Sequence, residues 1–229
     1  MTSVSEPEIF DENLASSYDE KTDRISPIKD SLHLLSQLVL KEIPENSKIL
    51  CVGSGTGAEL FYLASAFPQW HFTAVEPAKA MIDISRQRAI DFGIGDRVEF
   101  HEGYLSTLED RGKYDAATSI LVSQFLLDEA ERLSFFRQIA SRLKPGGYLI
   151  NADLSTDLNE TDHEKLMDVW MRMLEFSGMK VEREVYGRDV AVSKPKEIEQ
   201  FMLESGFDAP IQFSQNFFIR AWFSRLKEE

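Results

Sequence analysis

The chain has 229 residues, 43% of them hydrophobic and 16 of them Phe, which suits one sizeable α/β domain with a packed core. Its 39 acidic residues outweigh 25 basic ones for a formal net charge of −14, so a phosphate backbone is repelled and bare nucleic acid is a disfavoured partner. The single cysteine excludes an internal disulfide and a cysteine-rich zinc site, no apolar run reaches membrane-span length, and the polar start MTSVSEPEIF lacks a signal-peptide core; a cytoplasmic protein with no metal and no membrane contact is expected.

Two helical patterns occupy the first 46 residues, EIFDENLASSYDEK and SPIKDSLHLLSQLVLKEI. In the second, Ser26 is placed as N-cap, Pro27 at the first helical position, and Leu32, Leu35, Leu38 and Val39 along one face. A strand over Lys48–Val52, a helix over about 57–67, the strand WHFTAVE (70–76) and a helix from Ala78 to about Phe92 follow. RVEFHEG (97–103) and YDAATSIL (114–121) read as strands, DEAERLSFFRQIASRL (128–143) as a helix and GYLINADL (147–154) as a strand. Strands alternating with helices imply right-handed crossovers and a parallel sheet covered on both faces, a doubly wound α/β fold with its ligands beyond the carboxyl ends of the strands.

TDHEKLMDVWMRMLEFSGM (161–179) interrupts that alternation like an inserted cap, with Leu166, Val169, Trp170, Met173 and Leu174 on one stripe that either faces the core or closes over an apolar substrate. KPKEIEQFMLESGF (194–207) is a further helix stopped by Gly206, and APIQFSQNFFIRAWFSRL reads as two strands joined around Ser214–Asn216. The expected organisation is one domain: a helical N-terminal segment or lid (1–46), a cofactor-binding core (47–154), the cap (155–193), and a last helix with closing strands (194–229).

In KILCVGSGTGAEL, three glycines directly follow the first strand, so the backbone turns sharply and the next helix presents free N–H groups. Gly53-x-Gly55-x-x-Ala58 satisfies a dinucleotide fingerprint, while Gly53-x-Gly55-x-Gly57 suits the tighter turn used for S-adenosylmethionine. Glu76, ending the second strand, is placed to accept hydrogen bonds from ribose hydroxyls and serves both readings.

Five segments in order, ILCVGSGTG, FTAVEPAKAMIDISRQRA, RVEFHEGYL, YDAATSILVSQFL and LKPGGYLINADL, together with the closing hairpin, resemble the class I S-adenosylmethionine-dependent methyltransferases of small-molecule type over roughly residues 10–225. The resemblance implies a Rossmann-like seven-stranded sheet, mostly parallel with an antiparallel C-terminal strand, with S-adenosyl-L-methionine as donor, S-adenosyl-L-homocysteine as product and a small molecule as acceptor. It further implies that Gly53, Ser54 and Gly55 border the methionine portion, that Glu76 holds the ribose, and that Pro77 and Met81 pack near the adenine. Gly103, Tyr104 and Leu105 would line the adenine's other side, Ile120, Leu121 and Ser123 would floor the site, and Tyr18 would close over it. The family usually carries an acid at the position of Cys51 and frequently one at that of Tyr104; Cys51 is read as a small buried residue.

Positive charge disperses in a displacement at sulfonium, so alignment in a dry pocket matters more than a dedicated base. His163 is the candidate base where the acceptor needs one, and Arg172, Arg183 and Arg188 are candidates to grip an acidic acceptor. His33, His71 and His101 are read as structural. SQFLLDEAERLSFFRQIASRLKPGG and ESGFDAPIQFSQNFF also resemble carboxy-S-adenosylmethionine synthase of tRNA modification, whose asparagine after the fourth strand and acid after the third correspond to Ile120 and Tyr104. A non-catalytic cofactor-fold binding protein and a dehydrogenase are the remaining readings.

Overall fold

The structure is a computed structural model that describes residues 12–109 and 111–228. Two helices come first, α1 (Glu12–Asp23) and α2 (Ser26–Leu40); the opening residues of the expected first helix lie outside the described range. Then β1 (Lys48–Val52), α3 (Ala58–Ala66), β2 (His71–Glu76), α4 (Lys79–Asp91), β3 (Val98–Glu102), β4 (Tyr114–Ile120), α5 (Glu129–Arg142) and β5 (Leu143–Leu154) alternate. After them come α6 (Glu160–Ser177), the short α7 (Val185–Arg188), α8 (Pro195–Glu204), β6 (Ile211–Asn216) and β7 (Ile219–Arg225).

The strands form one seven-stranded sheet in the order β3-β2-β1-β4-β5-β7-β6. β1 to β5 pair in parallel, and β7 runs antiparallel to both β5 and β6. Side chains alternate across the sheet. Leu50, Val52, Val75, Ala117 and Leu149 face a core shared with Phe136, Ile139, Ile198 and Met202 of α5 and α8. Ile49, Cys51, Phe72, Ala74, Ala116 and Ile150 face the opposite core, shared with Leu60, Phe61 and Leu63 of α3 and with Leu40 of α2. Burial on both faces is why these strands read as nearly continuous apolar runs.

Three local expectations are corrected. Ile25, not Ser26, is the cap residue of α2, and no side chain caps it. That helix buries Leu32, His33, Ser36 and Leu40, while Leu38 is 54% exposed, because the buried stripe follows where α2 lies over its neighbours. The closing hairpin turns at Phe217 and Phe218, with Asn216 paired to Ile219 and Phe217 at φ +52°, so Ser214–Asn216 belong to β6. The α6 stripe is core-facing: Trp170, Leu174 and Met167, with Leu166 and Met173 packed at the edge, cluster with Leu154, Val190 and Phe218, while Val169 lies outside that cluster. No described helix is long and apolar enough to cross a membrane.

Candidate active site

A cavity of about 810 Å³ opens beyond the carboxyl ends of β1, β2 and β4. That is the place a doubly wound sheet prescribes, since chain order reverses between β1 and β4 and the loops part there. The turn after β1 forms its floor. The N–H groups of Gly53 and Ser54 both donate to the Val75 carbonyl, at 2.8 and 3.1 Å. Glu76 ties the same turn to β2: one oxygen accepts from the Gly55 N–H at 2.9 Å, the other from the Ala78 N–H at 2.9 Å. Burial pushes the Glu76 carboxyl up, and these two donors partly offset it. A carboxylate has about four lone-pair sites, so each oxygen keeps acceptor capacity.

The glycines divide the labour. A Cβ at Gly57 would lie 2.5 Å from the Phe61 ring and 2.6 Å from the Ser85 hydroxyl, so this glycine lets α3 pack. At Gly55 nothing stands within 4 Å of a Cβ position, and its φ is +53°. Its bare backbone borders open cavity, as close approach of a ligand requires. The Ser54 hydroxyl, on the same wall, is buried with no hydrogen-bond partner among the described residues. An orphaned polar atom beside an open glycine fits the polar end of a bound nucleoside-type group.

Helices α1 and α2 supply the roof. Tyr18, Thr22, Ile28, Leu32 and His33 line it. Tyr18 packs with Ala78 and Met81, and burial raises its hydroxyl pKa. Asp19 latches the roof to the floor: it accepts from the Thr56 hydroxyl at 2.7 Å and pairs with Arg88 at 2.9 Å. The Arg88 guanidinium also donates to the Thr56 carbonyl at 3.2 Å and lies 4.9 Å from the centre of the Phe61 ring. Leu121, at the end of β4, lines the cavity at φ +60°, a conformation rare for a residue with a Cβ.

Of the residues singled out from sequence, Tyr18, Gly53, Ser54, Gly55, Glu76, Pro77, Met81, Gly103, Tyr104, Leu105, Ile120 and Leu121 all border this cavity. Ser123 does not; it is fully buried, and its hydroxyl donates to Asp153 at 2.7 Å, because the turn after β4 folds its side chain under the floor. His163 is absent from the cavity wall as well: its ring lies 5.2 Å from that of Phe218 within the cap cluster. The candidate arginines are likewise elsewhere. Arg183 pairs with Asp168 at 2.6 Å and with Glu164, Arg188 pairs with Asp189, and Arg172 does not line the cavity. Cys51 is fully buried in the α3-side core, and burial pushes its thiol well up.

Among the wall residues that the sequence did not single out are Asp19, His33 and Glu59. His33, read as structural, reaches the cavity; it is 6% exposed, stacks obliquely on Tyr62 at 5.3 Å, and burial lowers its pKa to about 4. Glu59, in the first turn of α3 on the floor side, is 8% exposed, and burial raises its pKa to about 7. A signal for Glu59 was available, since it shares a helical face with Leu63 in an otherwise apolar helix.

Residues 50–149 match the family described as a methyltransferase domain. The chain is 31% identical over 145 residues to a carboxy-S-adenosyl-L-methionine synthase of Campylobacter lari, covering 63% of this chain and 60% of that one. Over the same number of residues it is 28% identical to a cypemycin N-terminal methyltransferase of a Streptomyces species, covering 63% and 56%. The chain thus spans three-fifths or less of the length of these two curated relatives. A solved S-adenosylmethionine-dependent methyltransferase from Methanosarcina mazei superposes with a TM-score of 0.65 at 18% identity, covering 84% of this chain and 98% of that one. The seven-stranded sheet with its antiparallel C-terminal pair is the fold of the methyltransferase domain.

Proposed function

We propose that the protein binds S-adenosyl-L-methionine in the cavity above β1, β2 and β4 and transfers its methyl group to a small molecule in the cytoplasm. One observation supports this most directly: the open glycine turn at Gly55 is pinned to the buried Glu76, whose two oxygens keep acceptor capacity toward a ribose. The lining's charge agrees. Its acids are Asp19, Glu59, Glu76 and Glu131, and its basic residues are Lys29 and His33 alone. A cavity of that sign favours a cationic ligand. When bound, the donor supplies an electrophilic methyl on a sulfonium, with the thioether as leaving group.

The chain's own residues then bind, align and exclude water. Pro77, Met81, Gly103, Tyr104 and Leu105 line the cavity where the adenine would pack, and Ile25, Ile28, Leu32, Leu121, Phe125 and Ile219 offer an apolar wall to an acceptor. His33 is neutral at pH 7 and, with its pKa lowered to about 4, a weak base. Alignment in a dry site is therefore what the walls contribute.

Carboxy-S-adenosylmethionine synthesis is a second reading, favoured by the match to the Campylobacter lari protein. A ligand bearing an extra carboxylate meets poor company here, since Lys29 already pairs with Asp23 at 2.7 Å. The test is calorimetric titration with S-adenosylmethionine, with reduced nicotinamide dinucleotide as control, followed by methyl-transfer assays on small acceptors. One-site binding of the first alone, weakened at least tenfold in Glu76→Ala, is the expected result. Binding of the nicotinamide dinucleotide instead would replace the donor assignment.

A further inference from the structure

The turn that follows β4, residues 121–126, forms one wall of the cavity and is gripped from the side away from it. Ile120, Leu121, Val122, Gln124, Phe125 and Leu126 line the cavity. Val122 sits so close to the glycine turn that a Cβ at Gly53 would lie 2.4 Å from its Cγ2. The placement of residues 121–126 therefore fixes this wall and one side of the floor together. Leu121 holds φ +60° while its N–H donates to the Ala152 carbonyl at 2.7 Å. Backbone strain of that kind persists only where the surroundings impose it.

Those surroundings are buried and polar. From β5, the Asp153 carboxylate accepts from the Ser123 hydroxyl at 2.7 Å, and the Leu154 N–H donates to the Gln124 side-chain carbonyl at 3.2 Å. From α5, Arg132 donates through Nε to the Leu126 carbonyl at 3.1 Å and through Nη1 to the Ser193 hydroxyl at 2.6 Å. From the end of the cap, the Ala191 N–H donates to the Gln124 backbone carbonyl at 2.9 Å. Asp153 and Arg132 are buried charges of opposite sign, and the guanidinium favours the Asp153 carboxylate against its burial. Neither of them lines the cavity, and no residue of 155–193 does. The cap nevertheless reaches the cavity wall, through Arg132 and Gln124.

We propose that Arg132 and Ser193 are positioning residues: they pin the turn after β4 to the returning end of the inserted cap, so that the cap sets the wall a bound donor meets without touching the donor. The inference rests on the donor assignment made above and adds to it a role for the cap. Arginine suits the hub, because its planar fork presents donors to two partners in fixed directions, whereas a lysine ammonium is a single point charge. Coupling of this kind is reciprocal. If the cap steadies the wall for the ligand, a ligand against the wall steadies the cap at Ala191.

The test combines amide hydrogen exchange of the full chain, alone and with S-adenosylmethionine, with calorimetric titration of the same ligand. In Ser193→Ala, exchange in residues 121–126 is expected to quicken before any ligand is added. Donor affinity is expected to fall roughly three- to tenfold, and the slowing of Ala191 exchange by the ligand to shrink. Ser193→Thr, which keeps the hydroxyl, should match the unaltered protein on all three readings. Arg132→Lys, which keeps a charge to offset Asp153 but loses the fork, should behave like Ser193→Ala. A Ser193→Ala protein that unfolds more easily, yet exchanges in 121–126 and binds the donor as the unaltered protein does, would leave these residues a structural role only and overturn the proposal. Absence of binding to the unaltered protein instead overturns the donor assignment, and exchange in 121–126 without ligand then still decides whether the cap holds the turn.

Discussion

The floor of the cavity is tied together through backbone groups, with Gly53 and Ser54 donating to Val75 and with Gly55 and Ala78 donating to a Glu76 that is 7% exposed. The roof is tied on through side chains: Asp19 to Thr56 and to Arg88, the ion pair being 38% and 29% exposed at its two side chains. Buried bonds to a charged group contribute about 1.5–3 kcal/mol each, whereas partly exposed pairs contribute about 0.2–1 kcal/mol. The floor is thus preorganised by the same bonds that build the sheet, and α1, whose polar ties to it run through Asp19, can part from it at smaller cost than α2, whose Leu32 and Leu40 are buried against the sheet. A ligand that must enter and leave needs that asymmetry.

The largest expected effect separates two glycines of the floor that look alike in sequence. Gly57→Ala places a methyl against Phe61 and Ser85 at φ +87° and is expected to destabilise the protein by about 2–5 kcal/mol in urea unfolding, combining left-handed strain with overpacking. Gly55→Ala meets no atom, so only the strain of about 1–2 kcal/mol applies. Its larger consequence is for the ligand, whose approach the new methyl obstructs. If Gly55→Ala instead loses as much stability as Gly57→Ala while binding S-adenosylmethionine normally, the division between a packing glycine and a ligand glycine is wrong.

The floor was legible because its signals are local. Apolar β1, the glycine spacing after it and an acid at the end of β2 follow from strand burial and turn sterics, and these residues do border one cavity. The roof and the catalytic candidates were less legible because they depend on docking. Leu38 fits the apolar stripe of α2, yet it is 54% exposed, since the helix turns Leu32 and His33 inward against Tyr62 and the cavity. His163 heads an amphipathic helix as a lid residue would, but α6 packs on Leu154 and Phe218 and carries it away from the site. Periodicity says that a helix has a buried face; the partner that buries it is a tertiary fact.

Roof and floor also carry opposed titrations. Unfolded, His33 takes up a proton below its ordinary 6.5, which the folded chain refuses until about pH 4, so this residue lowers stability as pH falls through that window. Glu59 has the opposite sign: the folded chain keeps a proton up to about pH 7 that the unfolded chain releases above 4.5, so this residue lowers stability as pH rises from 4.5 to 7. Each effect is on the order of 3 kcal/mol across its window, and between pH 4.5 and 6.5 they oppose. Relative to the unaltered protein, Glu59→Gln should therefore lose more stability on acidification from pH 6.5 to 4.5, and His33→Gln should lose less. Urea unfolding across that range reads both slopes, and parallel curves for all three proteins would remove the assigned titrations.

The smallest effect on stability is expected where the roof meets the floor. Asp19→Ala removes the bond to Thr56 and the pair with Arg88, yet Arg88 keeps its bond to the Thr56 carbonyl, and Thr56, though 2% exposed, borders the cavity. Unfolding free energy should change by no more than about 1 kcal/mol. What changes is local opening: amide hydrogen exchange over Glu12–Asp23 should quicken, with exchange in β1 and β2 unaltered, because those strands open only with the sheet. Bound S-adenosylmethionine should slow exchange in α1 of the unaltered protein and do so less in Asp19→Ala, since the ligand then has a looser roof to hold shut. Were exchange to quicken equally in α1 and in β1, roof and floor would open as one unit, and the asymmetry between backbone-held floor and side-chain-held roof would carry no mechanical meaning.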